Sequence, residues 1–192
     1  MRANDSFTPL TAITGIAGVL FGIIVGYLLG TSQGALAPVQ AAAVTAPPAA
    51  AVANEQELQA YRNVLSSDPK NLNANVQLAN KLYDAGRYSE ALPYYQQAFT
   101  LDPKNVGVST DYGTALYYAG RPDEALAQFD RSLTIDPRHA QTLFNIGIVK
   151  RDGKNDPQGA IAAWERLLAA APDYPDAPKV RTMIAELQAH KG

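Results

Sequence analysis

The strongest constraint on this chain is a period. Asp68-Pro69-Lys70-Asn71 returns as Asp102-Pro103-Lys104-Asn105 and again as Asp136-Pro137-Arg138-His139, 34 residues apart each time. A looser copy, Ala171-Pro172-Asp173-Tyr174, follows 35 residues on. Inside the units, Tyr83-Asp84-Ala85-Gly86-Arg87 matches Tyr117-Tyr118-Ala119-Gly120-Arg121, and Glu90-Ala91-Leu92 matches Glu124-Ala125-Leu126. Self-similarity at this period marks supersecondary units that stack, because one unit cannot bury its apolar face alone.

Within a unit the spacing describes a helix hairpin. Leu78, Leu82 and Tyr83 share one stripe, and Gly86 permits the left-handed turn that ends a helix. Ser89, followed by Glu90, is placed to cap a second helix. Ala91, Leu92, Tyr95, Ala98 and Phe99 then carry the i, i+3, i+4 apolar pattern, and Asp102-Pro103 stops it. The expected fold class is all-α: a solenoid of hairpins.

These residues resemble the tetratricopeptide repeat family. The family's small first-helix position is Ala79, Gly113 and Gly147, and its leucine or aromatic first-helix position is Leu78, Tyr112 and Ile146. Ala91, Ala125 and Ala160 open the second helices, the aromatic slot holds Tyr95, Phe129 and Trp164, and Pro69, Pro103, Pro137 and Pro172 close the units. The resemblance covers repeats 72–105, 106–139 and 140–174, about half the chain. Residues 54–67 resemble a lone second helix with Tyr61, Val64 and Leu65 facing the first repeat. Residues 177–190 read as a capping helix with Val180, Met183, Ile184 and Leu187 on one stripe. Two departures stand out. The third repeat has one extra residue in its turn, where Asp156 can cap and Pro157 can take the first helical position. The second opens on Val106-Gly107-Val108-Ser109, which predicts a looser first helix.

The first 53 residues are a different material. The chain holds 16 Lys+Arg and 18 Asp+Glu, yet only Arg2 and Asp5 fall in this stretch. After an N-terminal stub (1–8), residues 9–30 form an uncharged apolar run, long enough at about 1.5 Å per residue to cross a bilayer, and are expected to be a transmembrane helix. A cleaved signal peptide is the alternative. The run exceeds an ordinary signal core, however, and the best small-residue site, Val39-Gln40-Ala41, lies well beyond it. With Arg2 before the run and no Lys or Arg after it until Arg62, the N-terminus is expected inside and the repeats outside the cytoplasmic membrane, in a periplasm where there is one. Gly18, Gly22, Gly26 and Gly30 recur every fourth residue, a face on which a second helix, from another copy or another membrane protein, could pack closely. Residues 31–53, rich in Ala and Pro, read as a flexible linker.

Little in the chain is fitted for chemistry. There is no cysteine, only His139 and His190 as histidines, and no phosphate loop, nucleophile elbow or zinc-protease motif. The net charge of −2 gives no basic excess for nucleic acid. No enzyme activity, metal or cofactor is expected. Here the resemblance supplies the candidate site: the family's concave groove, lined by first-helix residues. The positions that map there include Asn73, Asn80, Tyr83 and Asp84 in repeat one and Thr114, Tyr117 and Tyr118 in repeat two. Repeat three contributes Gln141, Phe144 and Arg151. The version of the groove that clamps chaperone C-termini needs several cations, and Val76, Asp111, Gln141 and Asn145 do not supply them. The groove reads as neutral and aromatic, suited to a protein or peptide partner. The expectation is a single-pass, membrane-anchored interaction adaptor or assembly factor. A structural subunit of a membrane complex, held through the glycine face, and a maturation factor for exported cytochromes are the alternatives.

Overall fold

The computed structural model describes residues 49–189, with side chains from residue 54. The expected transmembrane helix, with Gly18, Gly22, Gly26 and Gly30, and all but the last five residues of the expected linker lie outside the described residues. Among those described, no helix is long and apolar enough to cross a membrane.

Among the described residues eight α-helices follow one another: α1 (Ala49–Ser67), α2 (Leu72–Asp84), α3 (Tyr88–Leu101), α4 (Val106–Tyr118), α5 (Pro122–Ile135), α6 (Ala140–Ile148), α7 (Pro157–Ala170) and α8 (Ala177–Ala189). A π-turn, Val149–Gly153, extends α6. Helices α2/α3, α4/α5 and α6/α7 are the three hairpins. The hairpin turns follow from glycine. Gly86 at φ 72° and Gly120 at φ 80° occupy the left-handed region. Arg87 N donates to the Leu82 carbonyl at 2.8 Å and Gly86 N to that of Tyr83 at 2.9 Å, the paired bonds of a Schellman end, and Arg121 and Gly120 repeat them.

Four local expectations change in the structure. Helix α1 starts at Ala49, inside the expected linker, because Ala49-Ala50-Ala51-Val52-Ala53 is strong helix-forming sequence once the prolines at 47 and 48 are passed. On α1 the buried residue is Leu58, with Tyr61 and Leu65 packed beside it, while Val64 is 41% exposed. Ser89 does not cap α3. That helix begins two residues earlier than a Ser89 cap would set it, and Arg87, its N-cap residue, makes a two-pronged bond to Glu90 instead, at 2.7 and 2.6 Å. Helix α4 is not loose at its start. The Asn105 side chain accepts from Val108 N at 3.1 Å, and Ser109, fully buried, accepts from Gln128 Nε2 at 2.9 Å and Ser132 Oγ at 2.7 Å. Capping and buried polar bonds outweigh the weak propensity of Val and Gly.

The extra residue of repeat three is absorbed in the π-turn. Its Gly153 lies so close under Tyr117 and Pro122 that an added Cβ would stand 3.0 Å from the tyrosine ring. Asp156 then caps α7 through Gly159 N at 2.8 Å, and Pro157 takes the first position.

The core follows the aromatic slot. Tyr95, Phe129 and Trp164 are 2%, 0% and 0% exposed. The last two rings press on the glycines at the small position, Phe129 on Gly113 and Trp164 on Gly147. The core forms two clusters. One runs from Leu58 through Leu78, Leu82, Leu116 and Phe129 to Val149; the other joins Leu143, Trp164 and Leu167 to Val180, Met183 and Ile184 of α8.

Candidate functional site: a tyrosine- and carboxylate-lined cleft

First helices one repeat apart place equivalent residues side by side. Here α2, α4 and α6, with one residue of α3, enclose a cleft of about 480 Å³ lined by Asn80, Tyr83, Asp84, Tyr95, Asp111, Thr114, Tyr118, Gln141 and Asn145.

Its polar groups form a partly completed lattice. Tyr95 donates its hydroxyl to Asn80 Oδ1 at 2.8 Å. Asn145 Nδ2 donates to Thr114 Oγ1 at 2.9 Å, Gln141 Nε2 donates to Asn145 Oδ1 at 2.9 Å, and Thr114 Oγ1 donates to the Thr110 carbonyl at 2.9 Å. These bonds hold Asn80 and Asn145 in fixed orientations. With its Oδ1 taken by Tyr95, Asn80 keeps its NH₂ group as a donor at the cleft lining, of the kind that reads a peptide carbonyl.

Deeper in the fold the same two helices are linked by a buried pair, Thr110 and Thr142, whose hydroxyls lie 2.7 Å apart. Thr110 spends its proton on the Val106 carbonyl at 2.7 Å, so Thr142 donates to Thr110. His139 Nδ1, 2.8 Å from Thr142, is then the donor to Thr142. His139 occupies the N-cap position of α6 without capping the backbone.

Tyrosine rings form one wall. Tyr118, 52% exposed, stacks on Tyr88 at 5.0 Å and meets Tyr83 edge-on at 5.9 Å, and Tyr83 meets Tyr88 edge-on at 5.2 Å. Burial, reinforced by Tyr118 and Tyr88, pushes the Tyr83 phenol up to about 12. Burial, with Asp111 next, pushes Tyr95 higher still. Both phenols therefore stay protonated donors across the ordinary pH range. Tyr118 also forms the boundary of a shallower groove of about 240 Å³ with Gly86, Arg87, Tyr88, Ser89, Glu90 and Ala119.

The cleft is acidic rather than neutral. Asp84 and Asp111 line it, no Lys or Arg does, and neither carboxylate has an ion-pair partner among the described residues. Asp111 keeps an exposed surface but is crowded by the cleft walls, and that desolvation pushes its carboxyl above the ordinary 3.8. The native state thus holds more protons than the unfolded chain between 3.8 and the raised value, so this group lowers stability as pH rises through that window. Asp111→Asn is expected to raise the thermal midpoint at neutral pH. The gain should vanish below about 3.8, as thermal scans of both proteins across pH would show.

Of the groove residues expected from the sequence, Asn80, Tyr83, Thr114, Tyr118 and Gln141 come together here. The others do not line the cleft. Asn73 is exposed on the first turn of α2. Tyr117 packs on the first core cluster. Phe144 packs on the second, 6.3 Å from Tyr174, and its carbonyl accepts from Trp164 Nε1 at 3.1 Å. Arg151 lies over the Trp164 ring at 5.4 Å and forks onto Asp152 at 2.6 and 2.7 Å. Tyr95 was legible only as a core residue, yet it reaches the cleft floor because its ring is buried while its hydroxyl meets Asn80. Among the described residues, no three His, Cys, Asp or Glu side chains gather as they would about a metal ion.

The sequence profile described as tetratricopeptide repeat matches residues 82–143, from the end of α2 into α6. No curated protein matches the chain. Among solved structures, the crystal structure of MamA superposes with a TM-score of 0.60 at 19% identity, over 74% of this chain and 92% of that one. The type III secretion chaperone SycD of Yersinia enterocolitica, in complex with a peptide of the translocator YopD, gives 0.59 at 18% identity, over 63% and 95%. PcrH in complex with the chaperone-binding region of PopD gives 0.58 at 20%, over 63% and 93%. At these identities the likeness is one of fold.

Proposed function

We propose that the repeat domain, which matches the tetratricopeptide repeat profile over residues 82–143, is an interaction module, not an enzyme, whose α2–α4–α6 cleft takes a peptide segment of a partner protein. The observation that carries this reading is the wall around Tyr118. A half-exposed aromatic ring, braced by Tyr83 and Tyr88, borders polar groups with hydrogen-bonding capacity left over. Braced aromatics beside oriented amides are what interface anchors consist of, because little entropy is lost when they engage. The peptide complexes of SycD and PcrH support the reading by fold analogy. The test is recovery of partners on the tagged full chain from detergent-solubilised membranes. Tyr118→Ala is expected to lose specific partners that the wild-type chain retains, and an unchanged set of partners would refute the cleft.

The same proposal places the module at a membrane, with residues 9–30 as the anchor, residues after it as spacer, and the repeats outside the cytoplasm. The support is the uncharged apolar run and the lone Arg2 before it. A reporter that is active only outside the cytoplasm, fused after Gly192, is expected to be active; activity only of a cytoplasmic reporter would reverse the orientation.

A further inference from the structure

The cleft also specifies what sort of side chain enters it. We propose that the bound segment delivers a lysine or arginine side chain into the α2–α4–α6 cleft, where Asp84 and Asp111 pair with its cation and the tyrosine wall covers its stem. This rests on the reading of the cleft as a peptide site and adds the chemistry of the residue recognised.

Three observations converge on a cation. The two carboxylates share the cleft with no Lys or Arg lining it, and both are close enough to act on the Tyr83 and Tyr95 phenols. The surrounding cations are already engaged. Lys81 is 2.6 Å from Glu57, Arg87 binds Glu90 and Glu55 at 2.6 and 2.8 Å, Arg121 binds Glu124 at 2.6 Å, and Arg151 binds Asp152 at 2.6 Å. Asp84 and Asp111 both keep exposed surface at the cleft, within reach of an incoming side chain, and crowding by the cleft walls disfavours the Asp111 charge, which an external cation offsets. Tyrosine supplies the rest, since its ring face attracts ammonium and guanidinium groups and its edge covers their methylene stems. An acidic or purely apolar segment would leave both carboxylates without an ion-pair partner.

The proposed source of the cation is a partner protein. The first 53 residues of this chain carry Arg2 and no other Lys or Arg, which makes them a poor source of a basic segment.

The test uses the purified full chain in detergent micelles against a library of random immobilised peptides. Peptides whose capture requires Tyr118 are expected to share a Lys or Arg at one position. Changing that residue to Gln in the peptide should weaken binding to the wild-type chain about tenfold, and added salt should weaken it further. Against the double variant Asp84→Asn, Asp111→Asn, the Lys and Gln peptides should bind alike, the signature of a direct coupling. Each single variant, with its thermal midpoint measured alongside, separates loss of pairing from loss of fold. Tyr118-dependent peptides without a basic preference, or with a preference indifferent to both aspartates, would overturn the cation inference and leave the peptide cleft standing. Absence of any Tyr118-dependent peptide would remove the cleft reading and this inference with it.

Discussion

Trp164→Ala is expected to destabilise the repeat domain by about 3–5 kcal/mol. Trp164 is 0% exposed, it belongs to the cluster that joins α6, α7 and α8, and its Nε1 donates to the Phe144 carbonyl at 3.1 Å. Truncation would empty an indole-sized space and cut that hydrogen bond. It would also remove the ring beneath the Arg151 guanidinium. Chemical denaturation followed by circular dichroism measures the change. The reciprocal substitution gives a sharper test. An alanine Cβ at residue 147 would overlap the indole, so Gly147→Ala is expected to cost about 1–3 kcal/mol, despite alanine's higher helix propensity. Repeat one already pairs Ala79 with the smaller ring of Tyr95 at the equivalent positions. Gly147→Ala combined with Trp164→Tyr copies that pair and should be more stable than the sum of the two single changes. Strict additivity would mean that the two positions do not sense each other's size.

Tyr118→Ala is the largest expected effect on binding: at least about 2 kcal/mol, or roughly 30-fold in affinity for the partner segment, as for other central aromatic anchors. Because the ring is 52% exposed and makes only edge and stacking contacts with Tyr83, Tyr88 and Tyr117, its removal should cost stability only about 1 kcal/mol. Tyr118→Phe, which keeps the ring, should retain most of the affinity. Tyr117→Ala should behave the opposite way. Its ring packs on the core and on the π-turn through Gly153, so stability should fall first. Titration of a selected peptide, set beside thermal scans of the three variants, separates these outcomes.

The contrast between Tyr117 and Tyr118 shows where sequence reading stops. Both fall on first-helix positions that the resemblance sends to the groove, and a one-dimensional period gives them equal standing. What separates them is the residue each meets across the stack, and for Tyr117 that is Gly153, in a π-turn created by a single extra residue. The hairpins were legible because their signals are local: glycine at residues 86 and 120, proline after each unit, and an aromatic opposite a small residue. The start of α4 was not. Val-Gly-Val-Ser reads as weak helix until Asn105 caps it and Gln128 and Ser132, 19 and 23 residues beyond Ser109, bond to that serine. The acidic character of the cleft was legible only in part. Asp84 and Asp111 both map to the groove, but the period does not show that Lys81, Arg87 and Arg151 are drawn off by Glu57, Glu90 and Asp152 and so leave the two carboxylates without an ion-pair partner.

The central claim is that a partner enters the α2–α4–α6 cleft, and site-specific photocrosslinking of the full chain in native membranes tests it most directly. A photoreactive phenylalanine analogue replaces Tyr118 in one sample and Gln96, exposed on α3, in another. The account predicts a discrete adduct from residue 118, mapping to one segment of one partner protein, and none from residue 96. Adducts from residue 96 alone, or from neither position while the partner still co-purifies, would place the interaction elsewhere on the chain and contradict the account.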